Sequence, residues 1–400
     1  MNYLLWLVIS CSIVALSCGY MGWRVINAAD LSSPWKAVAW AALVFFAALI
    51  PVTFFLQINR MEFPGKEILS WTTYLSMAFF WVLLTVLIVR DVGWLVVAAL
   101  QKSAGLLAGI FGGGAGVSVP PDPERRRLLM RTMSLGVLAA AGSLTAYGFF
   151  EARRRPSLVR LDIPIPRLHP DMEGLTILQI TDLHAGLTVG RSFVETVVEQ
   201  ANEQHADIIV FTGDLVDGSV PKLRDAVAPM AGLSARLGKF FITGNHEYYS
   251  GAVPWVEEAR GLGFTVLLNE HAVIRQGGGS LLLAGVTDYS GGQFVPTHAS
   301  DPAKAFQGAP PTDARILLAH QPRSLYAALP LGYDLQISGH THGGQFFPYN
   351  FLAAVGQPYV SGLHRHENSW VYVSKGTGYW GPPIRIGARS EVTLFTLTKG

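Results

Sequence analysis

Charge is scarce in this 400-residue chain: 14% of its residues are Asp, Glu, Lys or Arg, against 50% hydrophobic. An ordinary soluble domain carries about 25% charge, so part of this chain is not built to face water. Cysteine is scarcer still. The only two, Cys11 and Cys18, both fall in the first apolar run, which gives no sign of a disulfide and excludes a cysteine nucleophile from the rest of the chain. No long basic stretch interleaved with aromatics is present, so nucleic acid is not an expected partner. The Gly-rich run from Gly112 to Gly116 lacks a terminal Gly-Lys-Ser/Thr and a clear strand before it, and does not read as a nucleotide loop. Ionisable groups within the apolar runs are too few for a transporter, and Arg90 with Asp91 reads as an interfacial pair flanking a helix.

What is abundant is apolar length. Mean hydropathy is +0.33, and 10 Trp are present. Residues 4–22, 37–57 and 71–89 are each long enough to cross about 30 Å of hydrocarbon as a helix. A fourth run, 133–150, is small and apolar, with Gly136, Gly142 and Gly148. The stretch 93–112 is ambiguous, because Gln101 and Lys102 interrupt it and Gly109, Gly112, Gly113 and Gly114 weaken its helical propensity. The expectation is four or five helices, with five favoured, and hence a multi-pass protein of the cell membrane whose first partner is the lipid bilayer. Arg125, Arg126, Arg127 and Arg131 before the last run oppose Arg153, Arg154, Arg155 and Arg160 after it, so the positive-inside tendency nearly cancels. Paired arginines, two leucines and a small-residue apolar run resemble an export signal of the twin-arginine kind, which favours the extracytoplasmic side for the remainder of the chain.

After Pro156 the chain changes character, with Pro164, Pro166 and Pro170 marking an extended approach to a second domain. The expected division is a membrane region 1–150, a linker and first extended segment 151–172, and a domain 173–400. Within that last domain one order repeats five times: a short apolar strand, then potential metal ligands. Leu175 to Ile180 leads into Asp182-Leu183-His184, and Asp207 to Thr212 into Gly213-Asp214. Lys239 to Thr243 precedes Gly244-Asn245-His246, Arg315 to Ala319 precedes His320, and Tyr333 to Ser338 precedes His340-Thr341-His342. Residues at the carboxyl ends of neighbouring strands converge on one edge of a sheet, held still by the strand bodies. Gly213, Gly244 and Gly339 would permit the tight turns this needs.

Asp182, His184, Asp214, Asn245, His320, His340 and His342 thus form a candidate two-metal centre. The mixed Asp, His and Asn donors suit Mn, Fe or Zn better than an all-oxygen magnesium cage. A carboxylate shared between two divalent cations can hold them roughly 3.5–4 Å apart, where they polarise a phosphate and acidify water. Asp214 is the candidate for that shared ligand.

These five blocks, in this order, resemble the calcineurin-like metallophosphoesterases, and in particular a membrane-associated bacterial branch, over residues 173–400. Gly339-His340-Thr341-His342-Gly343-Gly344-Gln345 and Gly381-Pro382-Pro383-Ile384-Arg385 add to the likeness. The resemblance implies an α/β four-layer sandwich, two mixed β-sheets flanked by helices, after the multi-pass helical membrane region. It implies that Asp182, His184, Asp214 and His342 hold one metal, and Asp214, Asn245, His320 and His340 the other. It also places His246 beside the substrate phosphate, as a catalytic residue with Asp214.

Other residues keep two readings. Asp217 and Glu247 either support the ligands or serve as turn carboxylates, and Arg385 either contacts phosphate or does not. Tyr248 and Tyr249 line the mouth or pack the loop, and His364 and His366 read as surface histidines. The activity expected is metal-dependent hydrolysis of a phosphate ester, with a phosphodiester in a lipid or envelope-related substrate favoured because tethering raises its local concentration. A lipid-sugar pyrophosphatase and a membrane sensor that binds metal without turnover are the alternatives.

Overall fold

The computed structural model describes residues 3–58, 61, 63–110 and 122–400; the Gly-rich run 112–116 lies outside them. The chain divides into two compact units, Met1–Tyr147 and Gly148–Gly400.

The first unit is helical. Helices α1 (Tyr3–Val25), α2 (Ser33–Ile58), α3 (Lys66–Ile110) and α4 (Pro123–Arg153) are long and apolar enough to cross a membrane, making this a multi-pass membrane protein. Four such helices stand among the described residues, not the five favoured from sequence. The runs 71–89 and 93–110 belong to one 45-residue helix, because Arg90, Asp91 and Val92 between them hold no helix breaker and the single Gly93 costs a helix about 1 kcal/mol without breaking it. Close packing joins the helices. A β-carbon at Gly22 on α1 would overlap the ring of Trp40 on α2, and the buried Thr53 and Thr73 hydroxyls bond at 2.7 Å between α2 and α3. Cys11 and Cys18 are both free.

The second unit contains two six-stranded mixed sheets. Strand β1 (Ser157–Ile165) lies parallel to the C-terminal strand β12 (Glu391–Lys399), which pairs antiparallel with β2 (Thr176–Ile180). β3 (Ile208–Phe211), β4 (Lys239–Phe241) and β5 (Thr265–Val266) continue the first sheet in parallel. In the second sheet β7 (Gly279–Gly285), β8 (Ala314–Leu318) and β9 (Leu335–Ser338) run parallel. β6 (Glu270–Gln276) flanks β7 antiparallel, while β11 (Ser369–Val373) extends β9 in parallel and pairs antiparallel with β10 (Gly362–His366).

Side chains alternate across each strand, and the alternation fixes the layers. Ile177, Ile208 and Val210 of the first sheet pack with Leu281, Leu283, Ile316 and Ile337 of the second, forming the interior between the sheets. Their neighbours Leu178, Ile209 and Phe211 face outward. There they meet Val194, Val197 and Ala201 of α5 (Arg191–Asn202) and Trp255 and Val256 on a later helix. On the far side Leu282, Ala284 and Leu317 pack against Ala305, Phe306 and Ala328. Helices therefore flank both sheets, as expected, and central strands buried on both faces explain why runs such as Ile208-Ile209-Val210-Phe211 are wholly apolar.

One polar contact pins the edge of this core. Asp207 accepts bonds from the Thr176 N–H at 2.9 Å and hydroxyl at 3.0 Å, and from Arg236 Nε at 2.9 Å. Burial acts to raise its carboxyl pKa, but these donors outweigh it and hold the group below its ordinary value. A depressed carboxylate stabilises the fold above the unfolded-state pKa of about 3.9 and loses that contribution as pH falls through the folded-state value. Asp207→Asn is therefore expected to cost roughly 1–2 kcal/mol at neutral pH. In thermal unfolding of the detergent-solubilised protein, its deficit against wild type should close below about pH 4; a deficit constant down to about pH 3 would remove the charge from the explanation.

Candidate metal centre

All five ligand loops leave the carboxyl ends of their strands. Asp182 and His184 follow β2, Asp214 follows β3, Asn245 follows β4, His320 follows β8, and His340 and His342 follow β9. The turns are tight. Asp182, His184, Asp214, His340 and His342 have φ of 52°, 52°, 57°, 74° and 53°, a left-handed conformation that non-glycine residues adopt mainly where the surroundings enforce it. The glycines serve as the pattern predicted, for two reasons. Gly213 has φ of 94°, whereas a β-carbon at Gly244 or Gly339 would overlap the carboxylate of Asp214 or Asp182 respectively.

The donors converge. His184 Nε2 and His342 Nε2 lie 3.0 Å apart, and His342 Nε2 is 3.4 Å from Asp182 Oδ1. Across the cleft His320 Nε2 is 3.1 Å from Asp214 Oδ2 and 3.2 Å from Asn245 Oδ1. The same Asp214 Oδ2 is 3.8 Å from His184 Nε2, so one carboxylate reaches both groups. Two clusters are built from these donors, Asp182-His184-His342 and Asp214-His320-His340, each with ligand atoms close enough for one cation, and His184 with Asp217 and His246 makes a third such group among the described residues. All seven residues named from sequence meet at this edge.

Each side chain is aimed by a second contact. Asp182 accepts the His340 N–H at 2.9 Å and the Thr181 hydroxyl at 2.8 Å. The Asp214 carboxylate accepts the His246 N–H at 2.8 Å, and His320 Nδ1 donates to Thr212 O at 2.8 Å, leaving Nε2 free to coordinate. Asp217 Oδ1 sits between two imidazoles, 3.0 Å from His184 Nδ1 and 2.6 Å from His246 Nδ1. The electrostatics differ across the cluster. Burial, then His320, holds His340 down to about 3, and burial with His184 and Arg385 holds His342 far below its usual value. Both imidazoles are thus neutral, the form that binds cations. Burial also works against charge on His246, but Asp214 and Asp217 prevail and raise it to about 9.

Residues 175–344 match the family model of the calcineurin-like phosphoesterases. A transmembrane protein with metallophosphoesterase domain from Danio rerio is 38% identical over 68% of this chain and 67% of its own length. Uncharacterized metallophosphoesterases of Helicobacter pylori and Bacillus subtilis are 35% and 32% identical, each over 68% of this chain and over 72% and 97% of their own. The chain belongs to the calcineurin-like phosphoesterases. It is a metal-dependent phosphoesterase with a binuclear divalent-metal site, attached to a membrane region. The bacterial branch expected from sequence is too narrow a frame, since vertebrate proteins of the same membrane-associated kind are at least as similar.

Within the phosphoesterase domain several open readings now separate. Glu247 is fully buried and supports the loops: its carboxylate accepts the N–H groups of Gly244 at 2.7 Å, Asp214 at 2.9 Å and Leu215 at 2.8 Å. Burial and the nearby Asp214 raise it to about 7. Glu247→Ala would leave three buried donors unpaired, at about 1–3 kcal/mol each, so a loss of roughly 3–5 kcal/mol is expected in thermal unfolding. A variant within about 1 kcal/mol of wild type on that scale would mean water replaces the carboxylate.

Arg385 is a support as well. It is 1% exposed, with Nε and Nη2 donating to Gly378 O at 2.9 and 2.6 Å and Nη1 to Ala388 O at 2.7 Å. Its guanidinium is spent on carbonyls, not held out toward a phosphate. Nη2 also lies 3.2 Å from His342 Nδ1. Gln345 ties the two family-like blocks together, since its amide accepts from Trp380 N at 3.0 Å and donates to Trp380 O at 2.9 Å. His364 stacks on Tyr359 at 4.1 Å and His366 bonds its hydroxyl at 2.9 Å, both on β10 and in neither cluster. Tyr248 is buried, bonded to His298 at 3.0 Å, whereas Tyr249 is 61% exposed. Trp380 and Phe294, which the sequence did not single out, complete a rim. The His246 ring meets Tyr249 at 5.1 Å and Trp380 at 5.9 Å, and Tyr249 meets Phe294 at 5.4 Å.

Proposed function

We propose that this phosphoesterase is a phosphodiesterase acting on a lipid or envelope-related substrate, with its catalytic domain on the extracytoplasmic side of the membrane. The observation that carries the substrate class is the aromatic rim, while the side rests on the paired arginines, leucines and small apolar run at Arg125 to Phe150, which resemble an export signal. Tyr249 and Trp380, 61% and 45% exposed, stand beside His246, and Phe294, 49% exposed, stands beside Tyr249. Large apolar side chains left open at a catalytic cleft suit a substrate with an apolar or organic group on the scissile phosphate better than inorganic or small polar esters.

In this reading Asp182, His184, Asp214 and His342 hold one cation, and Asp214, Asn245, His320 and His340 the other, with Asp214 common to both. When bound, the cations supply Lewis-acid polarisation of the phosphate and acidify water. The residues do the rest. The backbone turns hold the ligands before substrate arrives, Asp217 orients the His184 and His246 rings through their Nδ1 atoms, and His246 offers its other nitrogen to the leaving oxygen. The aromatic rim seats the group that departs.

The test is hydrolysis by the purified full chain in detergent with Mn²⁺, offered matched phosphomonoesters, phosphodiesters, glycerophospholipids and nucleoside-diphosphate lipids. Turnover of a lipid phosphodiester is expected. Cleavage confined to the nucleoside-diphosphate lipids would instead identify a lipid-sugar pyrophosphatase. Silence on every class with two metals bound would point to a sensor.

A further inference from the structure

The membrane unit contains a cavity of 560 Å³ bounded by Met21, Val25, Leu43, Phe46, Phe79 and Leu83 among others. Its walls offer almost nothing polar. Thr72 and Ser76 are the hydroxyls on it, and each already donates to the carbonyl one turn back, to Ile68 O at 2.8 Å and Thr72 O at 2.7 Å. A space of this size, lined by spent hydroxyls and hydrocarbon, suits an apolar chain and rejects a polar solute.

A charged group stands one turn away. Met21 and Arg24 are three residues apart on α1 and share a face, and Val25 is next in the chain. Asp91 lies two turns beyond Leu83 on α3. There Arg24 pairs with Asp91, Arg90 Nε donates to Asp91 at 2.8 Å, and the Tyr20 hydroxyl donates to it at 2.7 Å. Two guanidiniums against one carboxylate leave one positive charge. Both guanidiniums keep part of their surface open, with side-chain exposure of 26% for Arg24 and 15% for Arg90, so a further acceptor can reach them.

From this pairing of an apolar cavity with an under-neutralised arginine pair we propose that the membrane unit binds an anionic phospholipid, its acyl chain in the cavity and its phosphate on Arg24 and Arg90. The site is separate from the metal centre and does not depend on what the phosphoesterase cleaves. It would make the membrane unit a reader of lipid charge as well as an anchor.

The experiment places the full chain in nanodiscs containing phosphatidylglycerol or phosphatidylcholine with a diazirine in the acyl chain, and maps photolabelled peptides by mass spectrometry. Labels should concentrate on residues 21–46 and 72–83 and favour phosphatidylglycerol about fivefold, the preference one arginine gives near a charged surface. Arg24→Gln should remove the preference. Leu83→Trp should fill the cavity and remove the labels for both lipids, while Val8→Trp, on the exposed face of α1, should change neither. Monodispersity in size exclusion shows that each variant is folded. Equal labelling by the two lipids, or labels spread evenly over all four helices, would overturn the proposal.

Discussion

Replacing Asp214 with asparagine is expected to abolish hydrolysis and to lower metal content from two ions per chain to one or none. The substitution keeps shape and removes one negative charge at the point where the two donor groups meet, with Oδ2 3.1 Å from His320 Nε2 and 3.8 Å from His184 Nε2. It also replaces one carboxylate oxygen with an amide NH2 that can only donate. If that amide faces His320 it opposes a second ligand, and if it faces the His246 N–H it breaks the 2.8 Å bond that positions the next loop. Losing several kcal/mol of transition-state stabilisation corresponds to roughly a thousandfold or more in rate. Elemental analysis and turnover on the same folded preparation decide the matter. Full metal content with near-normal turnover would show that Asp214 is not the common ligand.

The convergence of the seven candidate ligands was legible because each comes within a few residues of its strand's end, so local order in the sequence carries spatial order at the sheet edge. Asp182 and His342 lie far apart in the chain, yet each could be placed from its own loop alone. Relations between loops were not legible. Tyr249, Phe294 and Trp380 come from three distant segments, and nothing near Trp380 in sequence announces that Gln345 holds it over His246. Arg385 read as a candidate phosphate contact because a cation ends the Gly-Pro-Pro block, but only the fold reveals that carbonyls surround it. Glu247 was ambiguous for a similar reason: a carboxylate beside a ligand looks the same in sequence whether it faces substrate or three backbone N–H groups. The helix number stayed open between four and five because Gln101, Lys102 and Gly109 weaken the stretch after residue 93 without saying whether it starts a new helix, and in the fold 93–110 continues α3.

His246→Ala is expected to lower turnover by about 10²–10⁴-fold while leaving two metals bound. The ring is outside both clusters that combine Asp182 with His342 and Asp214 with His340, but it stands edge-on to His184 at 4.6 Å and its Nδ1 is held 2.6 Å from Asp217. That hydrogen bond leaves the second nitrogen for substrate. His246, Asp217 and His184 are also close enough to form a cation group of their own, so the two roles must be separated by measurement. If His246 gives a proton to the departing oxygen, the deficit of the alanine variant shrinks when the leaving group is already a weak base, as nitrophenolate is, because such an oxygen departs without protonation. A ligand role predicts a deficit independent of the leaving group and a parallel fall in bound metal. Matched alkyl and nitrophenyl phosphodiesters, assayed on wild type and variant with metal content recorded, distinguish the two. Equal metal loss in a folded variant would move His246 from proton donor to ligand, and Asp217 with it from orienting one histidine to completing a cation site.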